Sequence, residues 1–484
     1  MIRSLASRVL DPDRALMRAM DGVIEAASVR HALDRGGARF TAGAPLKLLL
    51  AGYQGSRNTG SDVRVEEMIR QIRAVLGDEN VELAMVTIEP EKTAGYFRTV
   101  RQMRLPSVFP PFLFTETTKH HGVVACEGSM FKSKFANALS TMMAGALGLA
   151  AVEGKLGVGY GAEAGAMDPA LEAFVRRHCK SSLVLCRNDQ SRRVLEGMGI
   201  RTTSGADTAW TFQPAPLARG RELLRAAGWD GVQPLLVVCP INPFWWPAKP
   251  DVVKAAARTL LGEFKSEHYL SIYFHEWSED AARKYDAYIS GLAQGVHAFA
   301  KERGMFVAAV GTEELDRRAC EALATDLEQR GTRAPVLVSD DLDMYELVSV
   351  LRNANLMLSS RFHAMVTSMP VGVPSMGVTM DERITNLLED RGHSELLLRV
   401  EDHNLGARVL DGLRVLDREA ERIREESLRF VPKQLVRMGQ MGIDFVDEVA
   451  RVYPEMPRRD VPRDPYRYLP ALSPELNRLL ETYA

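Results

Sequence analysis

Short, unbroken apolar runs alternate with helix-length segments twice along this chain, and that rhythm excludes most folds. In the first series Leu48-Leu49-Leu50-Ala51-Gly52, 81–88, Val123-Val124-Ala125-Cys126, Leu156-Gly157-Val158-Gly159 and Leu183-Val184-Leu185-Cys186 read as strands. The segments 65–76, 135–149, 169–178 and 190–198 read as helices. Runs without polar alternation are covered on both faces, as in a parallel sheet layered between helices. A second series starts at Leu235-Leu236-Val237-Val238 and continues through 306–310, 335–338, 356–358 and 375–378, with helices that include 345–351 and 383–388. The Pro/Ala-rich stretch 213–220 between the two series is weakly patterned, which puts a domain boundary between 213 and 234. The expected class is α/β: two Rossmann-like, doubly wound domains facing a cleft, with helical N- and C-terminal extensions.

A length of 484 residues fits this division, since one core rarely grows so large. The 61 basic and 63 acidic residues leave a net charge of −2, so no global field draws in nucleic acid or an anionic membrane. Five cysteines lie scattered without a Cys-x-x-Cys pair or metal-ligand spacing, which reads as buried thiols in a reducing compartment and no bound metal. No secretory signal is recognised, and no apolar run reaches the ~18 residues a spanning helix needs. A cytoplasmic protein is expected, and a peripheral place at the inner face of the membrane is compatible with this reading. Residues 1–40 read as a helix with Leu10, Leu16, Met20, Val23 and Ile24 on one stripe, which packs on its own domain or meets a membrane surface or partner.

Ligands of doubly wound sheets bind outside the carboxyl ends of the strands, so the loops after strands carry the chemistry. Gly52-Tyr53-Gln54-Gly55-Ser56-Arg57-Asn58-Thr59-Gly60-Ser61-Asp62 combines glycines with Asn58, Thr59 and Asp62 as hydrogen-bonding groups; Ser61 or Asp62 can equally cap the following helix. Glu127 follows Val123-Val124-Ala125-Cys126, where a carboxylate can act as a base. Arg187 suits bidentate capture of a carboxylate or phosphate, or an ion pair with Asp189. Gly157-Val158-Gly159-Tyr160-Gly161-Ala162 loosely satisfies a dinucleotide pattern, but on the fourth strand of its series. Trp245-Trp246 reads as packing at the domain boundary or as a sugar-stacking pair. Ser359-Ser360-Arg361-Phe362-His363-Ala364 marks a strand opening into a helix, with backbone N–H groups, a guanidinium and an imidazole close together.

Together these loops resemble the polysaccharide pyruvyl transferase family over residues 47–400. The resemblance rests on Gly52-Tyr53-x-Gly55-x-x-Asn58-x-Gly60, Arg187-Asn188-Asp189-x-Ser191, Leu195-x-x-Met198-Gly199-Ile200, Ala206-Asp207-Thr208-Ala209, and Ser360-Arg361-Phe362-His363-Ala364 with Gly372-Val373-Pro374. It implies a glycosyltransferase-B-like domain pair that moves pyruvate from phosphoenolpyruvate to hydroxyls of a sugar, or of a lipid-linked glycan, as a ketal. The N-terminal domain, 47–225, would serve the acceptor and the C-terminal domain, 226–417, the donor, with extensions over 1–46 and 418–484. Arg361 and His363 match the family's Arg-x-His segment, with Arg361 holding donor charge and His363 as general acid. Glu127 or Asp62 would take the hydroxyl proton. Arg187, Arg383, Ser359, Ser360, Gly55, Asn58 and Thr59 would bind substrate, and no cofactor beyond the donor is implied. Two departures bear on the acceptor: Ser61 splits the usual Gly-Asp, and Arg383 stands where the family often has Lys. A nucleotide-sugar glycosyltransferase and a non-catalytic glycan-binding relative of the same architecture are the alternatives. Oligomeric state and acceptor identity do not follow from these residues.

Overall fold

The computed structural model describes residues 11–33, 37–126, 128–250, 268–269, 273–275 and 277–483. Its N-terminal domain begins with α1 (Pro12–Ala32), capped by Asp11 with Pro12 in its first turn. A seven-stranded parallel sheet follows, made of β1 (Leu46–Ala51), β2 (Val81–Thr87), β3 (Arg101–Arg104), β4 (Gly122–Ala125), β5 (Leu156–Ala162), β6 (Leu183–Cys186) and β7 (Arg201–Ser204) in the order β3-β2-β1-β4-β5-β6-β7. Its helices are α2 (Thr59–Leu76), α3 (Pro110–Lys119), α4 (Asn137–Val152), α5 (Pro169–His178) and α6 (Asp189–Gly197). Alternate residues of β1 explain the two-sided burial: Leu46, Leu48 and Leu50 join α2 in one core, while Leu49 and Ala51 join α1 and α4 in the other. α4 is buried along nearly its whole length, which accounts for the apolar run near 142–152. Met17, Met20, Ile24 and Ala27 seat α1 on this domain; Leu10 lies outside the described residues, and Leu16 and Val23 are half-buried.

The chain passes to the second domain before α7 (Leu217–Ala226). This domain holds β8 (Leu235–Cys239), an antiparallel ribbon of β9 (Lys249–Pro250), β10 (His268–Tyr269) and β11 (Tyr273–Phe274), then α8 (Glu279–Arg303), β12 (Phe306–Gly311), α9 (Arg317–Gln329), β13 (Val336–Val338) and α10 (Met344–Leu351). It continues through β14 (Leu356–Ser359), α11 (Phe362–Ser368), β15 (Ser375–Thr379), α12 (Glu382–Asp390), β16 (Leu397–Arg399) and α13 (Leu405–Arg418). The six-stranded parallel sheet runs β13-β12-β8-β14-β15-β16. Gly220 N donates to Ser349 Oγ at 3.0 Å and Ala215 N to Tyr345 O at 3.1 Å, which fixes α7 to α10. The 33-residue α14 (Ala420–Val452) then returns to the first domain: Ile423 is buried in a core of the second domain, Val431, Leu435 and Met438 join a core shared by both domains, and Gln71 Nε2 of α2 donates to Met438 O at 2.8 Å. α15 (Pro474–Tyr483) completes the C-terminal extension.

The two-domain α/β architecture with helical extensions is therefore as expected. Six strands were not anticipated: β3, β7, β16 and the two-residue strands β9, β10 and β11 of the ribbon. β3 and β7 are edge strands of charged and half-exposed residues, and an edge needs no two-sided apolar run; β16 has only three residues. The glycines at 157, 159 and 161 do not form a dinucleotide turn. They lie inside the buried β5, where Gly161 (φ 62°) makes a bulge against β6.

Candidate active site in the interdomain cleft

Each sheet reverses its winding beside its first strand, between β1 and β4 and between β8 and β14. Such switch points open a crevice at the strand ends. Here the two crevices meet. Tyr53 and Asn58 after β1, Ser129 and Lys132 after β4, Ile241 and Trp246 after β8, and Arg361 after β14 all line one cleft, completed by Phe135, Glu313, Met380 and Arg383. Cross-domain hydrogen bonds hold its walls together: Thr59 N to Thr312 O (2.8 Å), Tyr53 OH to Glu313 Oε1 (3.4 Å) and Lys132 Nζ to Glu382 Oε1 (2.8 Å).

Arg361 lies at the end of β14 as the N-cap of α11. Its Nε donates to Asp316 Oδ2 at 2.8 Å, and its Nη2 meets Asp316 Oδ1 and, at 2.8 Å, Glu313 Oε2. Burial would lower the guanidinium's pKa, but these two carboxylates outweigh it and keep Arg361 cationic. Asp316 is pushed up to about 6 by burial, against the pull of Arg361, with Glu313 adding like-charge repulsion. The serines before it face inward: Ser359 Oγ takes Arg361 N at 3.0 Å, and Ser360 Oγ lies 2.9 Å from Tyr288 OH. With Ser360 N already donating to Cys239 O, charge at this junction is carried by the guanidinium rather than by those amides.

A second charged cluster centres on Asp207. Its Oδ2 lies 3.0 Å from Arg64 Nε, 2.9 Å from Arg187 Nη1 and 3.2 Å from His363 Nε2. Burial alone would raise this carboxyl, but Arg64, His363 and Arg187 hold it far below the ordinary carboxylate range. Arg187 therefore does not pair with Asp189, as one reading of the sequence had it. It bridges Asp207 and the fully buried Glu163, because its position at the end of β6 points it inward across the sheet. Its guanidinium also lies 4.7 Å from the Phe362 ring, and burial pulls its pKa down to about 10. Arg64 is wholly buried and donates to Cys126 O (3.0 Å) and to Gly161 O (2.9 Å) at the bulge. His363 is pulled down from 6.5 by burial, against the attraction of Asp207. Gly60 packs on its ring so closely that a Cβ there would lie 2.2 Å from Nδ1.

The lowered folded-state pKa of His363 has a pH consequence. Its depressed pKa means that the unfolded chain takes up the proton first, so this contribution is present above about 6.5 and is lost as pH falls toward the lower folded value. Between about pH 7.5 and about pH 5.5 wild-type stability should fall by up to ~1.4 kcal/mol per pH unit from this group, and His363→Gln should lack that part of the slope. Urea unfolding at the two pH values checks it; equal slopes refute it.

The remaining expected residues divide clearly. Asn58 lines the cleft and caps α2 through Ser61 N at 3.2 Å, so the cap is neither Ser61 nor Asp62. Asp62 is fully buried, and its Oδ1 accepts from Gly55 N at 2.7 Å, which fastens the loop where Gly55 takes φ 81°. Thr59 is buried at the domain contact. Arg383 lines the cleft, pairs with Asp381 (Nε to Oδ2, 2.8 Å) and lies 4.8 Å from the Phe135 ring. Glu127 lies outside the described residues. Sequence reasoning missed Lys132, which is 1% exposed between Glu382 and Glu163 and has its pKa lowered by burial. It also missed Arg64, Glu163 and Glu313, and it gave Asp207 no role. All five cysteines are buried, and among the described residues no group of His, Cys, Asp and Glu is arranged to hold a metal ion. Nor is any helix among them long and apolar enough to cross a membrane.

No curated protein matches this chain by sequence. Among solved structures, UDP-GlcNAc 2-epimerase from Neisseria meningitidis, bound to UDP-GlcNAc, aligns with a TM-score of 0.51 at 9% identity, over 84% of this chain and 100% of that one. MnaA of S. aureus, solved with UDP, aligns with a TM-score of 0.50 at 9% identity, over 86% and 100%. At such identities the likeness is one of fold, the glycosyltransferase-B-like pair of facing domains. The family model for polysaccharide pyruvyl transferases covers less of the chain than the resemblance over 47–400, leaving out the loop after β1. From β5 to the first residue of α12, residues 156–382, this sequence matches the polysaccharide pyruvyl transferase family.

Proposed function

We propose that this protein transfers pyruvate from phosphoenolpyruvate to a pair of hydroxyls on a glycan, forming a cyclic ketal and releasing phosphate. The observation that carries the reading is the convergence of Lys132, Arg361 and Arg383, with Asn58 and Ser129, on the cleft where both switch points meet. A small dianion-plus-carboxylate donor needs such a set: guanidinium forks for its planar oxygens and an ammonium as a point charge. The cations come from both domains, so donor binding draws on the two domains together.

Protonation of the methylene carbon gives an oxocarbenium-like centre; one hydroxyl adds, the carbon–oxygen bond to phosphate breaks, and the second hydroxyl closes the ketal. Net, the two hydroxyl protons end on the new methyl group and on the released phosphate. His363, backed by Asp207, is the proposed proton carrier, and it reaches substrate when α2 and Gly60 draw away from its ring. Arg361 steadies the phosphate as charge builds on the leaving oxygen.

The test is a thermal-shift comparison followed by phosphate release. Phosphoenolpyruvate at 100 times its Kd should stabilise the chain by about 2.7 kcal/mol, and UDP-GlcNAc should not. His363→Ala should retain the phosphoenolpyruvate shift yet lose acceptor-dependent phosphate release by roughly 10²–10⁴-fold. Stabilisation by UDP-GlcNAc alone would instead favour the nucleotide-sugar reading, UDP-GlcNAc being the ligand bound in the Neisseria meningitidis structure.

A further inference from the structure

One feature of the cleft wall plays no part in holding an anion. From Phe135 a row of rings leads outward: Phe135 meets Trp246 edge-on (5.1 Å, 85°), Trp246 meets His275 (4.8 Å, 87°), and His275 stacks on Trp245 (4.8 Å, 27°). Trp245 meets Trp277 at 6.3 Å, and Trp277 meets Tyr285 at 6.2 Å. The inner end is the charged cleft itself, since Arg383 and Lys132 lie 4.8 Å and 5.9 Å from the Phe135 ring and Trp246 is part of the wall. The outer end is in solvent: Trp277 is 55% exposed. The row is built by four separate segments: the loop after β4, the loop after β8, the chain between β11 and α8, and α8 itself, which carries Tyr285.

Leaving an indole this exposed forgoes apolar burial, and rings in edge and stacked contact are held in fixed orientations before anything binds. A fixed aromatic strip that begins at an anion site and ends in water suits a molecule with apolar ring faces and polar edges. Pyranose rings have that character: axial C–H groups pack on an indole while the hydroxyls stay hydrated. The indole and phenyl faces of the row carry no net charge, which favours a neutral sugar.

We propose that Trp246, Trp245 and Trp277 form a saccharide subsite that seats neutral sugar rings of the acceptor beside the donor anion. The proposal rests on the pyruvyl-transfer reading for the identity of its occupant as acceptor. It puts acceptor contacts on the second domain, whereas the sequence resemblance assigned the acceptor to the first.

Saturation-transfer NMR on the full chain tests it, with cellobiose, lactose and N-acetyllactosamine as probes. At least one disaccharide should show saturable transfer to its ring C–H protons. Trp277→Ala and Trp245→Ala should each weaken it roughly tenfold, about 1.4 kcal/mol, and Trp277→Phe should recover most of the affinity. The thermal shift caused by phosphoenolpyruvate should persist in Trp277→Ala, which also reports that the variant is folded. Equal saccharide affinity in wild type and both alanine variants overturns the subsite, as does the absence of saturable transfer from all three disaccharides. Loss of the phosphoenolpyruvate effect with Trp277-dependent saccharide binding intact would leave the subsite standing and remove the donor reading. A persistent phosphoenolpyruvate shift without saccharide dependence on these rings would do the reverse.

Discussion

Replacing Asp207 by alanine should cost about 3–5 kcal/mol of stability, the range for breaking a buried ion pair by removing one partner. Arg64 has no exposed surface, and its Nε lies 3.0 Å from Asp207 Oδ2. Arg187 would keep Glu163, and His363 would lose the group that faces its Nε2. Because Asp207 is held far below the ordinary value of 3.8, its contribution is fully present above that value and is lost only as pH falls through the much lower folded-state pKa. Neutral pH therefore reads the whole effect. The measurement is the urea midpoint of Asp207→Ala against wild type, with Asp207→Asn as the isosteric control. A loss below about 1 kcal/mol, the scale of an exposed pair, would show that Arg64, Arg187 and His363 do not depend on this carboxylate.

Replacing Arg361 by alanine should lower phosphoenolpyruvate-dependent phosphate release by roughly 10²–10³-fold, the cost of deleting one well-placed donor to developing charge. The variant would also leave Asp316 and Glu313, both buried, with no guanidinium between them, so one of the two carboxyls should take up a proton. Two effects are thus mixed, and Arg361→Lys separates them. A lysine keeps the charge but not the fork, so it should restore stability more fully than turnover. The deciding measurement is the shift in melting temperature on adding phosphoenolpyruvate. If Arg361→Ala is destabilised yet still responds to phosphoenolpyruvate as wild type does, Arg361 serves the fold and not the donor.

Comparison of the sequence with the structure shows where residue patterns carry information. The continuous apolar runs in β1, β4, β8 and β14 marked both sheets, because burial on two faces leaves a direct trace in composition. Loops after those strands could then be picked out, and Asn58, Arg361 and Arg383 do reach the cleft. Lys132 left no such trace. It lies in irregular chain beyond β4, and only the approach of Glu382 from the other domain makes it a buried charge. Arg64, in the second turn of α2, reads as an ordinary surface arginine on an amphipathic helix. What buries it is the bulge at Gly161 and the segment carrying Asp207, about 100 and 140 residues away. Periodicity reports which face of an element is covered, but not which distant carboxylate meets a given cation. The Ser360-Arg361-Phe362-His363 junction shows the same limit: its two polar groups were found together, yet they point to different carboxylates, Arg361 to Asp316 and Glu313, His363 to Asp207.

The return of α14 to the first domain has a mechanical meaning. A single covalent link would let two domains swivel in any direction, whereas two links leave one axis, the line through them. Here the links are three: the chain just before α7, the middle of α14, and the return from Ala471, bonded to Arg70, to Glu475, paired with Arg352; the second is a helix, which resists stretching. Pro432 stands inside that helix, next to Val431 of the core both domains share. It supplies no N–H to the carbonyl four residues back, so the helix bends most readily there. A third tie and an apolar core shared by residues of both domains oppose such swivelling, so the cleft lined by Lys132 and Arg361 is held by the path of the chain itself.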